Sequence, residues 1–246
     1  MKIYFAGAEA SLNFFEKINV KNILIAYPFL KRKKINIEKE FFIDSGAFSA
    51  YTKGVKIDIE EYIEFIKLKK CKIYAGLDVI GDAEKTKKNI LYMKKNGLNE
   101  VLPTFHYGED FKYFEYYLKE FDYIALGGLV KHKSERIKIK KWFNLCFSYL
   151  KKFKNKKIHG FGVTNWEYLC SYPFYSVDST SWQNPHRYGQ HFNFEKGKLK
   201  RIDFKKISIN KFFNKEEQLR RSVENFLKAE GFLTKLWEKR GIVWND

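Results

Sequence analysis

Two aspartates, Asp44 and Asp178, stand at the ends of short β-rich runs that are far apart in the sequence. Asp44 opens the run DSGAF, and Asp178 lies in the run YSVDST. A pair of carboxylates in one site can divide the work at the anomeric carbon of a sugar, because one attacks the carbon while the other moves the proton of the departing group. A lone aspartate at a strand end more often caps a helix or holds a loop, so this chemistry requires a fold that brings the two together.

The β-rich runs alternate with amphipathic segments, which is the pattern of repeated βα units around a parallel sheet. Eight runs are predicted to be strands: Lys2–Gly7, Asn22–Tyr27, Phe41–Ser45, Lys72–Asp78, Val101–His106, Tyr123–Gly127, Ile158–Val163 and Tyr175–Ser179. Helices are predicted where apolar residues recur every three or four positions, in Ile59–Lys69, Ala83–Asn96, Asp110–Glu120 and Arg136–Phe153. Eight units favour a single (β/α)₈ barrel. The alternative is an open flavodoxin-like sheet, whose GxGxxG phosphate loop the sequence lacks.

The candidate chemical residues fall at the carboxyl ends of the predicted strands, the face that holds the active site in such a barrel. They are Asp44, Asp78, His106, Gly127–Gly128, Gly162 and Asp178. After Ser179 the βα rhythm stops. Residues 1–190 are therefore predicted to form the barrel, and residues 191–246 a C-terminal appendage packed on it within the same domain. The appendage is predicted to contain a hairpin over Phe192–Ile209, turning at Lys196–Gly197, and a helix from about Lys215 to Glu230.

Composition favours a polyanionic partner. The 246 residues carry a formal net charge of +18, and clustered lysines attract phosphate through counterion release. The alternative is an ordinary solvated lysine-rich surface, including the runs Lys31–Lys34 and Lys151–Lys157. The three cysteines form no CxxC pair, and the sequence shows neither a signal peptide nor a long apolar stretch, so a reducing cytoplasmic location is predicted.

The runs around the two aspartates resemble the tRNA-guanine transglycosylase superfamily. DSGAF is similar to the family's DSGGF signature, with Ala47 in place of the second glycine. The resemblance implies that Asp44 transfers the proton, that Phe48 stacks on the bound base and that Ser45 helps to bind the substrate. YSVDST is similar to the strand that carries the family's nucleophile, which implies that Asp178 attacks C1′ of the nucleoside.

Three further runs extend the resemblance over roughly residues 1–190, in the family's order. GLDVIGD is similar to the strand that supplies an aspartate to the hydrogen-bonding edge of the base, which implies this role for Asp78. LGGLV matches the family's GGL turn, so that backbone groups of Gly128 and Leu129 are implied to contact the heterocycle. HGFGVTN resembles the family's MGVG segment, which precedes the last strand.

The departures from the family bear on the substrate. Where the family has a glutamine in its GIVQGG strand, this chain has PTFHYGE, so His106 is predicted to contact the O6 atom of the base; the alternative is a structural hydrogen-bond donor. The family's GGLxVGE continues here as GGLVKHK and loses a glutamate that helps to set specificity, which leaves the choice of 7-deazaguanine open. The family's zinc subdomain, a CxCxxC run with a later histidine, has no counterpart in this sequence, and neither a metal nor another cofactor is predicted.

Short chains without the zinc subdomain resemble paralogues, found in phages and genomic islands, that place 7-deazaguanines into DNA. The resemblance therefore implies exchange of guanine in a nucleic acid for a 7-deazaguanine such as preQ0, with DNA favoured as the polymer and tRNA as the alternative. The target base must first leave its stack. The oligomeric state is left open.

The segment SWQNPHRYGQH, which follows Asp178, is predicted to lie near the mouth of the barrel. It could hold phosphate and ribose through Trp182, Asn184, His186, Arg187 and His191, with Arg187 as the phosphate contact. The alternative is an ordinary covering loop.

Two other functions remain open. One is a barrel aldolase or isomerase for a small phosphorylated substrate, which would need a phosphate site after strands seven and eight and usually a strand-end Lys or Glu. The other is a catalytically inactive barrel whose basic surface binds nucleic acid.

Overall fold

The core of the protein is a parallel sheet that closes into a barrel. The computed structural model describes residues 1–33, 41–132, 134–203 and 214–244. The sheet has nine strand segments in the order β5-β4-β3-β2-β1-β9-β8-β7-β6. They are β1 (Lys2–Ala6), β2 (Ile23–Ala26), β3 (Phe42–Asp44), β4 (Ile73–Ala75), β5 (Val101–Leu102), β6 (Thr104–His106), β7 (Tyr123–Gly127), β8 (Lys157–Gly160) and β9 (Ser176–Ser179).

The two edges of this sheet, β5 and β6, are segments of one barrel strand. Only Pro103 separates them; it has no N–H and therefore interrupts the ladder. The ring still continues through this point, because the Gly76 N–H donates to the Leu102 carbonyl and the Ala125 N–H donates to the Pro103 carbonyl, both at 2.8 Å. The predicted (β/α)₈ barrel is thus confirmed, and the open doubly wound alternative is wrong.

Side chains alternate along each strand between the barrel interior and the helical layer. The interior is filled by a small cluster of Tyr4, Ala6, Leu24, Phe42, Ala75, Leu102 and Ala125. Residues of the opposite parity, such as Phe5, Ile43 and Phe105, belong to the larger core beneath the helices. All eight predicted strands coincide with observed strands, and their ends differ by at most three residues.

The helices are α1 (Leu12–Lys17), α2 (Tyr27–Lys33), α3 (Ala47–Thr52), α4 (Ile59–Lys69), α5 (Ala83–Lys95), α6 (Phe111–Glu120), α7 (Arg136–Leu150), α8 (Trp166–Ser171), α9 (Asn184–Tyr188) and α10 (Lys215–Lys239). Side-chain caps fix where several of them begin: Asp58, Asp82 and Asp110 accept backbone N–H groups at the starts of α4, α5 and α6. The four helices predicted from periodicity are confirmed, although α7 ends three residues earlier than expected. In the described part of the chain, no helix is long and apolar enough to cross a bilayer.

The last helix is an integral part of the barrel, whereas the sequence analysis predicted an appendage packed on it. In α10, Glu230 Oε2 accepts the Ile3 N–H of β1 at 2.5 Å. At its far end the Trp237 indole donates to the carbonyl of Leu169 in α8 at 3.1 Å. Because α10 packs between the first strand and the preceding helix, it is the eighth helix of the barrel. It also runs through Gly231 to Lys239 and does not end at Glu230 as predicted.

The hairpin is an insertion between the eighth strand and the eighth helix. It pairs β10 (Gln190–Glu195) with β11 (Lys198–Asp203) and turns at Lys196–Gly197, as predicted. The remainder of the predicted hairpin, up to residue 209, lies outside the described residues. Since β9 ends at the carboxyl face of the barrel, this insertion belongs to the same face as the candidate site.

Candidate active site

Asp44 and Asp178 both point into the mouth of the barrel. Asp178 pairs with Tyr4 on β1, and Asp44 pairs with Ala26 on β2, so the β1–β2 register places Asp44 four residues farther along the ladder. An even offset keeps both side chains on the inner face. Strands in such a barrel are tilted, so this stagger is what brings positions on separate strands to a similar height. The fold therefore unites the two carboxylates as predicted.

Asp44 is surrounded by protein although it sits at the rim. Burial raises the pKa of Asp44 from 3.8 to about 7; a hydrogen bond from the Gly46 backbone works against this shift, and the negative charges of Asp78, Asp178 and Glu9 add to it. A carboxyl group with such a pKa exchanges protons readily at neutral pH, which is the requirement for a general acid and base. These neighbouring charges place the acidic groups near Asp44 at the mouth of the barrel.

Asp178 is held by the loop that follows β8. Its Oδ1 accepts the backbone N–H of Gly162 at 2.7 Å, and His159 Nε2 lies 3.4 Å from the same oxygen without hydrogen-bond geometry. This backbone donor fixes the orientation of the Asp178 carboxylate. This N–H is also a group that a phosphate-binding barrel would use after its seventh strand, and here the carboxylate occupies it.

His106 lies between two carboxylates. Its Nε2 is 3.3 Å from Asp78 Oδ2 and its Nδ1 is 3.1 Å from Glu109 Oε1, while its backbone N–H donates to Glu109 Oε2 at 2.9 Å. Burial of the imidazole opposes its charge, but the two carboxylates outweigh burial and raise the pKa of His106 to about 10. Both ring nitrogens are thereby engaged with protein groups, so His106 orients Asp78 in this arrangement. Its predicted contact with O6 of a base would require one of these pairs to open.

Asp78 itself keeps one unsatisfied oxygen. Asp78 Oδ1 is buried and makes no hydrogen bond, although buried polar atoms are nearly always paired. A ligand with an N–H donor would satisfy it. Among the described residues, no group of three or more His, Cys, Asp or Glu side chains is arranged to hold a metal ion.

The glycine pair after β7 is required by close packing. A Cβ on Gly127 would lie 2.9 Å from Thr104 Cγ2, and one on Gly128 would lie 3.0 Å from the backbone nitrogen of Tyr107. Gly128 also has a φ of +80°, which disfavours other residues. The Gly128 backbone is exposed at the mouth and Leu129 is partly buried beside it, as their predicted contact with a heterocycle requires.

The remaining predicted binding residues lie in different surroundings. Phe48 lies on α3, four residues after Asp44, and is 39% exposed. Ser45 is buried, and its Oγ accepts the Ala47 N–H at 3.4 Å, so as placed it holds the turn. Arg187 is exposed on α9 in the insertion after β9. Substrate contacts of these residues stay predictions.

The predicted phosphate-gripping role of Trp182 is wrong. The side chain is fully buried, its ring lies 4.8 Å from that of Phe15, and its indole donates to the Ala6 carbonyl at 2.9 Å. Trp182 therefore anchors the insertion to the barrel and does not reach a ligand.

Sequence reasoning missed three residues of the site: Glu9, Glu109 and His159. Glu109 stands three positions after His106 across the turn HYGED, a spacing that could have indicated the pair. Glu9 follows β1 in a short 3₁₀ turn, Ala8–Ala10. His159 faces the interior from the middle of β8, and nothing in the local sequence distinguishes it from a packing residue.

Comparison with known proteins identifies the fold but not a family. No family model matches the chain. A protein of Sulfolobus islandicus rod-shaped virus 1, described as "Uncharacterized protein 306", is 27% identical over 205 residues, which cover 79% of this chain and 65% of that protein. The chain therefore spans slightly less than two thirds of the length of this relative.

Two solved barrel enzymes are similar in structure. The 3-hexulose-6-phosphate synthase of Salmonella typhimurium superposes with a TM-score of 0.51 at 14% identity, over 93% of this chain and 100% of the synthase. The tryptophan synthase α-subunit of Pyrococcus furiosus, in its D110A form, gives 0.50 at 10% identity, over 90% of this chain and 96% of the subunit. At such identities the similarity shows the barrel fold alone.

Proposed function

We propose that the protein is a base-exchange transglycosylase that replaces guanine in a nucleic acid by a 7-deazaguanine such as preQ0. The observation that carries the proposal is the pairing of two carboxylates in different environments at one barrel mouth. Asp44 has a pKa of about 7, while Asp178 accepts a backbone N–H. Two titratable groups whose surroundings differ in this way suit the separate roles of proton carrier and nucleophile.

The exchange is a double displacement. In the first step a carboxylate oxygen of Asp178 bonds to C1′ as the C1′–N9 bond breaks, and protonated Asp44 gives its proton to the departing guanine. In the second step the N9 of the incoming 7-deazaguanine attacks C1′, its proton passes to Asp44, and the bond from C1′ to Asp178 breaks. The enzyme ends in its starting protonation state.

The mouth of the barrel offers partners for a flat heterocycle. The ring of Phe48 can stack on its face, and backbone groups of Gly128 and Leu129 can meet its edge. The unsatisfied oxygen of Asp78 is a partner for the N–H donors of a guanine-like edge. In this scheme His106 is a positioning residue that fixes Asp78.

DNA is the favoured polymer and tRNA the alternative. The net charge of +18 supports a polyanion, and a viral relative agrees with the phage setting that the sequence resemblance implies. The rival reading, an enzyme for small phosphorylated substrates, is disfavoured by the site itself. The mouth of the barrel contains several carboxylates, and the Gly162 N–H already donates to Asp178. A phosphate would therefore meet negative charge where it needs hydrogen-bond donors.

The test is incorporation of labelled base. The protein is incubated with guanine-containing DNA or tRNA and radiolabelled guanine or 7-cyano-7-deazaguanine, and the label in each polymer is counted. We expect label in DNA, a protein–nucleic acid adduct that survives denaturation, and a loss of more than about 10³-fold in Asp178→Asn. Asp122→Asn, which alters an exposed carboxylate paired with Lys156, is the matched control.

The outcomes separate the alternatives. Label in tRNA alone would transfer the activity to that polymer. Label in neither polymer, with folded protein and both bases tried, would defeat the exchange proposal and leave the inactive binding barrel as the better description.

A further inference from the structure

A chain of buried polar groups runs through the barrel interior beneath Asp178. His159 Nδ1 lies 2.6 Å from Ser176 Oγ, and Ser176 Oγ lies 2.5 Å from the Tyr123 hydroxyl. His159 pairs with Ser176 in the β8–β9 register, and Ser176 and Asp178 share the inner face of β9. The chain therefore joins three neighbouring strands and ends at the candidate nucleophile.

These groups occupy an apolar setting in which their presence is costly. His159 and Ser176 are fully buried. The imidazole is enclosed by aromatic rings, with Phe42 at 4.8 Å and Phe161 at 4.6 Å between centroids. Buried polar groups in such surroundings destabilise the protein unless every donor finds an acceptor. The geometry of these groups therefore limits where their protons can lie.

One arrangement of protons gives each of the two short contacts a donor and turns the remaining N–H toward a carboxylate. Burial raises the pKa of the Tyr123 phenol well above 10, so the phenol keeps its proton and donates to Ser176 Oγ. The Ser176 hydroxyl then donates to His159 Nδ1. Burial lowers the pKa of His159, so the imidazole is neutral and its single proton lies on Nε2, facing Asp178 Oδ1 at 3.4 Å.

The reverse arrangement is unfavourable at both ends. A proton on Nδ1 would be given to Ser176, whose proton would go to the Tyr123 oxygen, and the buried phenol O–H would lose this acceptor. At the other end the Nε2 lone pair would face a carboxylate oxygen 3.4 Å away, which is electrostatically repulsive.

We infer that His159 is a positioning residue whose Nε2–H, fixed by Ser176 and Tyr123, closes on Oδ1 of Asp178 in the reacting complex, so that Oδ2 is the attacking atom. This inference rests on the proposed function, because it assigns the nucleophile an orientation. The Gly162 N–H binds the same oxygen, so both donors act on one side of the carboxylate. When the glycosyl ester forms, Oδ1 becomes its carbonyl oxygen and remains within reach of both donors.

The first test needs no substrate. Long-range ¹H–¹⁵N NMR of uniformly labelled protein at pH 7 reports the tautomer of each of the five histidines, and the spectrum of His159→Gln identifies the His159 signals. We expect a protonated Nε2 and an unprotonated Nδ1. A proton on Nδ1, or on both nitrogens, would overturn the inference whether or not the enzyme exchanges bases.

The second test is kinetic. The rate of adduct formation in a single turnover is measured for variants of His159 and Tyr123, together with the dissociation constant of the free base. A hydrogen bond to a charged group corresponds to roughly 10- to 100-fold in rate, so we expect His159→Phe to slow adduct formation by about this factor with unchanged base affinity. We expect His159→Gln, whose amide can still donate, to recover most of the rate, and Tyr123→Phe to give an intermediate loss.

The matched control is Tyr172→Phe. It removes a phenol in the helical layer that donates to Asn144 Oδ1 at 2.7 Å. The variant therefore reproduces a loss of stability without changing the hydrogen bonds that join Tyr123, Ser176 and His159. Equal slowing in the control, or no rescue by His159→Gln, would reduce His159 to a packing residue. Failure of the wild-type protein to form any adduct would instead refute the proposed function, while the NMR result would still decide the tautomer.

Discussion

Replacing Asp44 by asparagine should stabilise the protein at alkaline pH while abolishing exchange. Burial raises the pKa of Asp44 from 3.8 to about 7, so between these values the folded state binds a proton that the unfolded state has lost. Stability therefore falls as pH rises from about 4 to about 7. A difference of about three pKa units corresponds to roughly 4 kcal/mol, which the folded wild-type protein loses by ionising Asp44 at pH 8.

The asparagine variant avoids this cost, because it stays neutral and its carbonyl can still accept the Gly46 N–H. We expect its free energy of unfolding at pH 8 to exceed that of the wild type by about 2–4 kcal/mol, and its Tm to rise by about 5–12 °C for a chain of this size. At pH 4, where the folded protein holds Asp44 protonated, the two should agree closely.

Urea titrations and thermal scans at pH 4, 6 and 8 measure the effect. The control is Glu64→Gln, which neutralises an exposed carboxylate of α4 and should change stability by less than about 0.5 kcal/mol at each pH. A variant with the same advantage at pH 4 as at pH 8, or one less stable than the wild type at pH 8, would show that Asp44 is not held in a medium that disfavours its charge. Asp44 would then be unsuited to carry a proton at neutral pH.

Further predictions concern other parts of the site. Because the pKa of His106 is raised from 6.5 to about 10, its ion pairs stabilise the fold fully below pH 6.5 and lose this effect as pH rises through 10; denaturant titrations of His106→Gln should therefore show a deficit at pH 6 that shrinks by pH 10. Gly128→Ala should lower the free energy of unfolding by about 1–2 kcal/mol because of its positive φ, and by a further amount because the new Cβ crowds Tyr107. Gly81→Ala is the control, since its φ is +85° but no atom lies within 4 Å. Thermal unfolding should show a smaller loss of stability in this control. The affinity for DNA should fall linearly with salt on a logarithmic plot, and Arg187→Gln should reduce the slope by about one if this residue contacts a phosphate.

The barrel was predictable because its signals are local and repeated. Each strand is a short β-rich run between amphipathic segments, and eight such units close most simply as a ring. The interruption at Pro103 was not predicted, although a proline inside a strand run is a known break. The end of α10 was misplaced because Gly231 weakens a helix only modestly, and packing of buried residues such as Leu233 and Trp237 outweighs it.

The candidate site was only partly predictable, because its remaining contacts depend on register between strands. Asp44 and Asp178 could be placed from their motifs, since any strand-end residue on the inner face of a barrel points to one mouth. The relation of His159 to Ser176 and Tyr123 requires knowing which residues of three strands lie side by side. For Trp182 the sequence could not show that its indole finds the Ala6 carbonyl inside the fold.

The charge of the protein and the charge of its mouth have opposite signs, and this contrast limits what can enter. Under the proposed function, a chain of net charge +18 would attract the phosphate backbone to its exterior, where lysine side chains are exposed. The mouth instead gathers carboxylates, contributed by Glu9, Asp44, Asp78, Glu109 and Asp178. A phosphate group is repelled from such a ring, whereas an uncharged heterocycle with N–H donors on its edge is attracted to it. The positive exterior would therefore hold the backbone of the polymer outside, and the negative mouth would admit the base alone. Exchange at C1′ of an extruded nucleotide requires this arrangement.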